Sequence, residues 1–149
     1  MTAGMVDRSE ILQLIPHQGA MCLWDQVNDW DEDNIRLRAG NHRDATHPLR
    51  HRQRLHAVHL CEYGAQAMAV HGGLRAHAAG GIASPGLLVA LRGVQLHCER
   101  IDTLPGLLEC HAQALVQGAG GWQYSFRIEH AGVLLAEGRA AVMPRPAAA

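Results

Sequence analysis

Ala57-Val58-His59-Leu60-Cys61-Glu62-Tyr63-Gly64-Ala65-Gln66-Ala67-Met68-Ala69-Val70-His71 decides how this chain folds. The run is apolar, small or imidazole on almost every side and has no clear polar face. A helix of that composition belongs in the middle of a domain, not on its surface. Glu62 is the sole carboxylate between Asp44 and Glu99. An ionised carboxylate in such a run is costly to bury unless a partner compensates it. Burial is expected to raise its pKa, which suits a general acid or base near neutral pH. Gln66 lies one helical turn further on, on the same face. The doublet Gly72-Gly73 is expected to end the helix.

Upstream, Asp7-Arg8-Ser9-Glu10 has the form of a capping box, followed by Ile11, Leu12, Leu14 and Ile15. This predicts a short helix that stops before Pro16. A strand is expected over 20–27, an acidic turn over 30–34 and a second strand over 35–40. Residues 41–54 form a polar loop rich in Arg and His. Downstream, 74–85 is a loose Gly/Ala loop, and strands are expected over 87–98, 107–117, 122–129 and 133–143. Turns are expected at 103–106, at 118–121 and at Ala131-Gly132, with a frayed tail over 144–149. Trp122, Tyr124, Phe126 and Ile128 alternate with Gln123, Ser125, Arg127 and Glu129, the cleanest period-two pattern in the chain. The expected architecture is α+β, one domain over 1–149. An antiparallel sheet curls around one long buried central helix, which buries both economically.

The 149 residues are enough for one domain with a real core, and a hydrophobic fraction of 48 % is a globular composition. No stretch reaches the ~18 unbroken apolar residues of a membrane span. A net charge of −1 gives no electrostatic case for nucleic acid. All 13 cationic side chains are arginine, so Schiff-base chemistry and the lysine P-loop are excluded. Cys22, Cys61, Cys98 and Cys110 are far apart in apolar settings, which predicts free buried thiols in a reducing compartment. Met1 to Glu10 shows no basic segment with an apolar core behind it, so a cytoplasmic location is expected. The serines, Ser9, Ser84 and Ser125, form no nucleophile elbow. His42, His47, His51, His56 and His59 cluster without a metal-ligand motif, so neither metal nor cofactor is expected.

Two segments and their order carry a family likeness. Residues 14–27, Leu-Ile-Pro-His-Gln-Gly-Ala-Met-Cys-Leu-Trp-Asp-Gln-Val, resemble the opening segment of the hot-dog-fold 3-hydroxyacyl-[acyl-carrier-protein] dehydratases. Glu62-Tyr63-Gly64-Ala65-Gln66-Ala67 resembles the Glu-x-x-Ala-Gln stretch on that family's central helix. Leu104-Pro105-Gly106 and the last hairpin fit as well. The likeness runs over 11–143 and is strongest to the small branch found in aryl-polyene-type pigment pathways. It implies a homodimer or a higher homo-oligomer, with the active site at the subunit interface. There a loop histidine of one subunit meets a helix carboxylate of the other. The carboxylate carries over to Glu62. The loop histidine carries over by position to His47, in a loop that lacks the family's glycines. His17, after Pro16, is the second candidate.

The implied reaction removes water from a 3-hydroxyacyl thioester borne on an acyl carrier protein through phosphopantetheine. On this reading His47 takes the C2 proton, and Glu62 donates to or orients the leaving hydroxyl. Gln66 orients Glu62. The N–H groups of Ala57 and Val58, at the start of the helix, would polarise the carbonyl. Arg43, Arg50, Arg52 and Arg54 are either a solvated loop or a contact for an acidic carrier or its phosphate. Two competing readings share the fold. One is a thioesterase that recruits Glu62. The other is a non-catalytic acyl-binding accessory subunit of a synthase.

Overall fold

The structure is a computed structural model, and it describes residues 4–81, 86–118 and 121–144. Parts of the expected loop 74–85, of the turn 118–121 and of the tail 144–149 lie outside the described residues.

The N-terminal helix forms as its capping box dictates. Asp7 caps α1 (Arg8–Leu14), its carboxylate accepting from the Glu10 N–H, and Ile11 points into the core. Ahead of it lies the two-residue β1 (Val6–Asp7). The central helix opens with one 3-10 turn, Ala57–His59, and continues as α2, Leu60–Ala78. The remaining strands are β2 (Gln26–Trp30), β3 (Asn34–Ala39), β4 (Gly86–Leu96), β5 (Leu108–Gly118), β6 (Gly121–His130) and β7 (Val133–Pro144). They join β1 in one seven-stranded sheet of order β1-β2-β3-β5-β6-β7-β4, antiparallel throughout. Register shifts place extra residues in β2, β4, β5 and β7, bulges that strengthen the local twist and let the sheet curl. Tyr124, Phe126 and Ile128 of β6 and Leu108, Cys110 and Ala112 of β5 point inward, as their alternation requires. This is the hot-dog fold: an antiparallel sheet wrapped around one long helix.

The small residues of α2 are there because the sheet comes close. A Cβ on Gly64 would sit 2.8 Å from the Phe126 ring, so the aromatic of β6 occupies the space that a side chain would take. Gly73 does the same for the end of α1: its Cβ would lie 3.0 Å from the Leu14 carbonyl oxygen. Gly72-Gly73 therefore does not end the helix, which runs on to Ala78. Tertiary packing outweighs the cost of glycine in a helix, about 1 kcal/mol per residue.

The strand expected over 20–27 forms only from Gln26. Before it lies a 3-10 turn, Gly19–Met21, and an irregular buried segment, Cys22 to Trp24. Side chains instead of a neighbouring strand satisfy that backbone. Arg8 donates to the carbonyls of Gly19, Cys22 and Trp24, Gln66 accepts from the Leu23 N–H, and Asn41 donates to the Leu23 carbonyl. No helix among the described residues is long and apolar enough to cross a membrane.

Candidate active site

Glu62 stands in the first turn of α2, on the one helix face that the sheet leaves partly open. Cys61, Glu62, Ala65, Ala69 and Gly72 are half-buried, whereas Tyr63, Gly64, Gln66, Ala67 and Met68 are buried. The glutamate is thus less enclosed than its neighbours in sequence suggested, with 35 % of its side chain exposed. Its partners come from two directions. Gln66 Nε2 donates to Glu62 Oε1 at 3.1 Å, and His17 Nε2 lies 3.5 Å from the same oxygen.

Gln66 is fixed on its other side. Its Oε1 accepts from the Leu23 N–H at 2.9 Å and its Nε2 also donates to the Met21 carbonyl at 2.8 Å. The amide thereby ties the helix to the irregular segment after His17. Gln18 donates to the carbonyls of Leu12 and Ile15 and closes the end of α1. Together with the Arg8 contacts, these bonds set where the His17 ring stands. Its Nδ1 faces the interior with no hydrogen-bond partner among the described residues, and Nε2 is turned toward Glu62.

His47 sits elsewhere. Its ring is buried and stacks on Tyr63, the residue after Glu62. The Leu49 N–H donates to Nδ1 at 3.1 Å, so Nδ1 is the acceptor and Nε2 carries the hydrogen. Nε2 lies 3.0 Å from the Tyr63 hydroxyl, which in turn donates to Asn41 Oδ1 at 2.6 Å. Burial lowers the His47 pKa, and the positive charges of His59 and Arg50 push in the same direction. Burial raises the Tyr63 phenol above its ordinary value. A cavity of about 320 Å³ opens beside His47, bounded by Arg8, Asp25, Asn41, Asp44 and Thr46, and Glu62 does not line it.

The backbone donors expected at the helix start are engaged. Ala57 N–H donates to the Glu99 carbonyl and Val58 N–H to the His56 ring. Chain segments on either side of the helix reach them first. The structure therefore brings Glu62, Gln66 and His17 together within one chain, and holds His47 on Tyr63. Sequence reasoning missed Tyr63, Asn41 and Arg8. Tyr63 follows Glu62 directly, but no spacing announces that its hydroxyl meets a loop imidazole.

The site is thus a half-open carboxylate on the central helix of a hot-dog fold, with an imidazole and an amide near one of its oxygens. The model of the ApeP-like family, described as ApeP dehydratase, matches residues 9–149. The chain belongs to that family and is accordingly a lyase. Among solved structures it is similar to the dehydratase heterocomplex ApeI:P from Xenorhabdus doucetiae. That match has 22 % identity, covers 91 % of each chain and has a TM-score of 0.82. AziG from S. sahachiroi shares the fold at 17 % identity, with 81 % of this chain and 90 % of that one covered and a TM-score of 0.58. A hypothetical thioesterase with coenzyme A from Streptococcus pneumoniae shares it at 9 % identity, with 80 % and 84 % covered and a TM-score of 0.57. No curated protein sequence matches the chain.

Proposed function

We propose that the chain dehydrates a carrier-borne 3-hydroxyacyl thioester to the trans-2-enoyl thioester, with Glu62 as the acid and His17 as the base. The observation that carries this reading is the convergence of His17 Nε2 and Gln66 Nε2 on Glu62 Oε1. On this reading one group accepts a proton from the substrate and the other delivers one to it. His17 takes the proton from C2, which the thioester carbonyl acidifies. Glu62 protonates the departing C3 hydroxyl, and water leaves. Transfer of a proton from the imidazolium to the carboxylate across their 3.5 Å separation then resets the pair. Gln66 keeps the carboxyl oriented and serves as a positioning residue.

His47, the base expected by position, is poorly suited to that role within this chain. A base needs an open lone pair. The Nδ1 lone pair is used by the Leu49 N–H, and Nε2 already carries a hydrogen. We assign His47 to holding the loop onto Tyr63.

A second protomer completes the site on this reading. Glu62 faces outward along a half-buried strip of α2, and an acyl chain needs a wall there. Edge strand β4 pairs with β7 and with no other strand among the described residues, and its Leu91 and Val94 are exposed. It is suited to strand pairing with another hot-dog subunit, either a copy of this chain or a different one.

The test is incubation with a 3-hydroxyacyl thioester on a carrier protein, following absorbance of the conjugated enoyl product. Enoyl product that disappears in Glu62→Gln supports the reading. Free thiol released without enoyl product overturns it in favour of hydrolysis. No reaction by the chain, alone or with a hot-dog partner, overturns it in favour of an accessory subunit.

A further inference from the structure

The Arg-rich loop before the central helix divides into two parts with different work. Arg50 is fully used inside the loop, donating to the carbonyls of Asp44, Arg43 and Gln53. Arg52 and Arg54 make no side-chain hydrogen bond or ion pair among the described residues. They line a cavity of about 460 Å³ together with His51, His56 and His59, at the foot of α2. No carboxylate lines it. The neighbouring Asp102 is already paired with Arg100, whose guanidinium holds the carboxyl well below the usual carboxylate range. Two guanidiniums and three imidazoles thus share one concavity with no carboxylate in its lining, although Glu62 lies near enough to act on His59.

The backbone there is strained. His51 and Arg54 exchange both backbone hydrogen bonds, at 2.9 and 3.0 Å, around a two-residue turn. Arg52 and Gln53 at its tip have φ of 51° and 64°. The Ala131-Gly132 turn has the same sign at both positions (49° and 79°) but places glycine at the second. Two consecutive left-handed residues with full side chains are disfavoured, and such strain persists where the surroundings enforce it. They are enforced here. The stem is pinned by Leu55 N–H to Asp102 Oδ1, by Ile101 N–H to the Leu55 carbonyl, and by Ala57 N–H to the Glu99 carbonyl. His56 accepts from the Val58 N–H at Nδ1, so its Nε2 keeps a hydrogen to donate even when the ring is neutral.

We propose that this cavity, formed by His51, Arg52, Arg54, His56 and His59, is a phosphate-binding site. Guanidinium forks match phosphate oxygens in pairs, and imidazole N–H groups supply further donors. His59 stands three residues before Glu62, so the site adjoins the carboxylate that we place in the chemistry. Two phosphates have this chemistry: the phosphodiester of a pantetheine arm on a carrier, and the phosphates of a free nucleotide thioester such as a coenzyme A ester. The first source rests on the function proposed above; the phosphate site itself does not.

Calorimetric titration with inorganic phosphate, 4′-phosphopantetheine and pantetheine tests the site without turnover. The expected result is saturable binding of both phosphate-bearing probes and at least tenfold weaker binding of pantetheine. Arg52→Gly is the diagnostic variant. It removes a guanidinium and relaxes a left-handed position, so phosphate binding should weaken about tenfold while the melting temperature holds or rises. Equal binding of pantetheine and phosphopantetheine, no saturable binding of phosphate, or unchanged affinity in Arg52→Gly overturns the proposal. If Arg52→Gly raises KM for carrier-borne substrate alone, the pantetheine arm is the source; if for the coenzyme A ester alone, the free thioester is. Phosphate binding in a protein that forms no enoyl product would break the dehydration reading and leave this site standing.

Discussion

Two imidazoles meet the central helix at adjacent residues, and they are treated in opposite ways. At Glu62, His17 is half-open, with 32 % of its side chain exposed, and its Nε2 stands at the long end of hydrogen-bond reach. At Tyr63, His47 is buried, stacked and bonded through both nitrogens. Neighbouring helix residues point about 100° apart, so one turn of α2 serves two environments. A histidine's chemistry follows from which lone pair is left open, not from how close it lies in sequence to a carboxylate. Nor does loop position alone decide it.

The largest effect should separate those two histidines. Glu62→Gln and His17→Ala are each expected to lower kcat by about 10²- to 10⁴-fold, the usual worth of a positioned acid or base. Neither should shift the melting temperature by more than a few degrees, because both side chains are partly exposed. His47→Ala should do the reverse. It frees a buried phenol and a backbone N–H, which costs about 1–3 kcal/mol of stability, with kcat falling less than tenfold. Steady-state kinetics and thermal melts on the same samples check this. If His47→Ala loses turnover as Glu62→Gln does and melts like the wild type, the contrast drawn here is wrong and His47 is the base.

Smaller effects sharpen the same contrast. Tyr63→Phe leaves His47 Nε2–H and Asn41 Oδ1 without their shared partner, and should cost about 1–3 kcal/mol in urea unfolding. Its kcat should stay close to wild type, since Glu62 and His17 are untouched. Gly64→Ala drives a methyl group into the Phe126 ring and should cost a similar 1–3 kcal/mol. A Tyr63→Phe protein that is fully stable yet inactive would move the reacting centre to the Tyr63 side of the helix.

Much of this was legible in the sequence, for identifiable reasons. The period-two strands from Leu108 onward show which faces are buried, because each strand packs one face on the helix. The glycines misled locally: Gly72-Gly73 has the form of a helix stop, but Gly73 serves Leu14, a contact across the fold that no local rule contains. The segment from Cys22 to Trp24 has strand composition yet no strand. Its backbone bonds go to Arg8, Gln66 and Asn41, each far away in sequence. Glu62 and Gln66 stood out because a lone carboxylate and an amide one turn apart are conspicuous on an apolar helix. The choice between His17 and His47 did not stand out. It depends on ring nitrogens and their partners, and a one-letter code carries neither.

The smallest expected effect is a pH dependence of stability, and it comes from a third buried imidazole. His71 Nδ1 meets the Tyr124 hydroxyl at 2.8 Å and Nε2 meets the Asp31 carbonyl at 2.7 Å. The carbonyl can only accept, so Nε2 donates and Nδ1 accepts from the phenol; the ring is neutral and fully used. Burial lowers its pKa below the ordinary 6.5, and the nearby Arg75 charge adds to this against the opposing pull of Asp31 and Asp33. Below pH 6.5 the unfolded chain therefore binds a proton that the folded chain refuses. Stability should be full above that pH, decline as pH falls from 6.5 toward the folded-state value, and level off below it. His42, His47, His59 and His111 are shifted in the same direction and add to the slope. His71→Gln keeps one donor and one acceptor but cannot titrate. Urea unfolding between pH 7.5 and about 5 should give a shallower decline for this variant than for the wild type. Parallel curves would mean that the ring accepts its proton without cost, and the closed network around it would have to open on protonation.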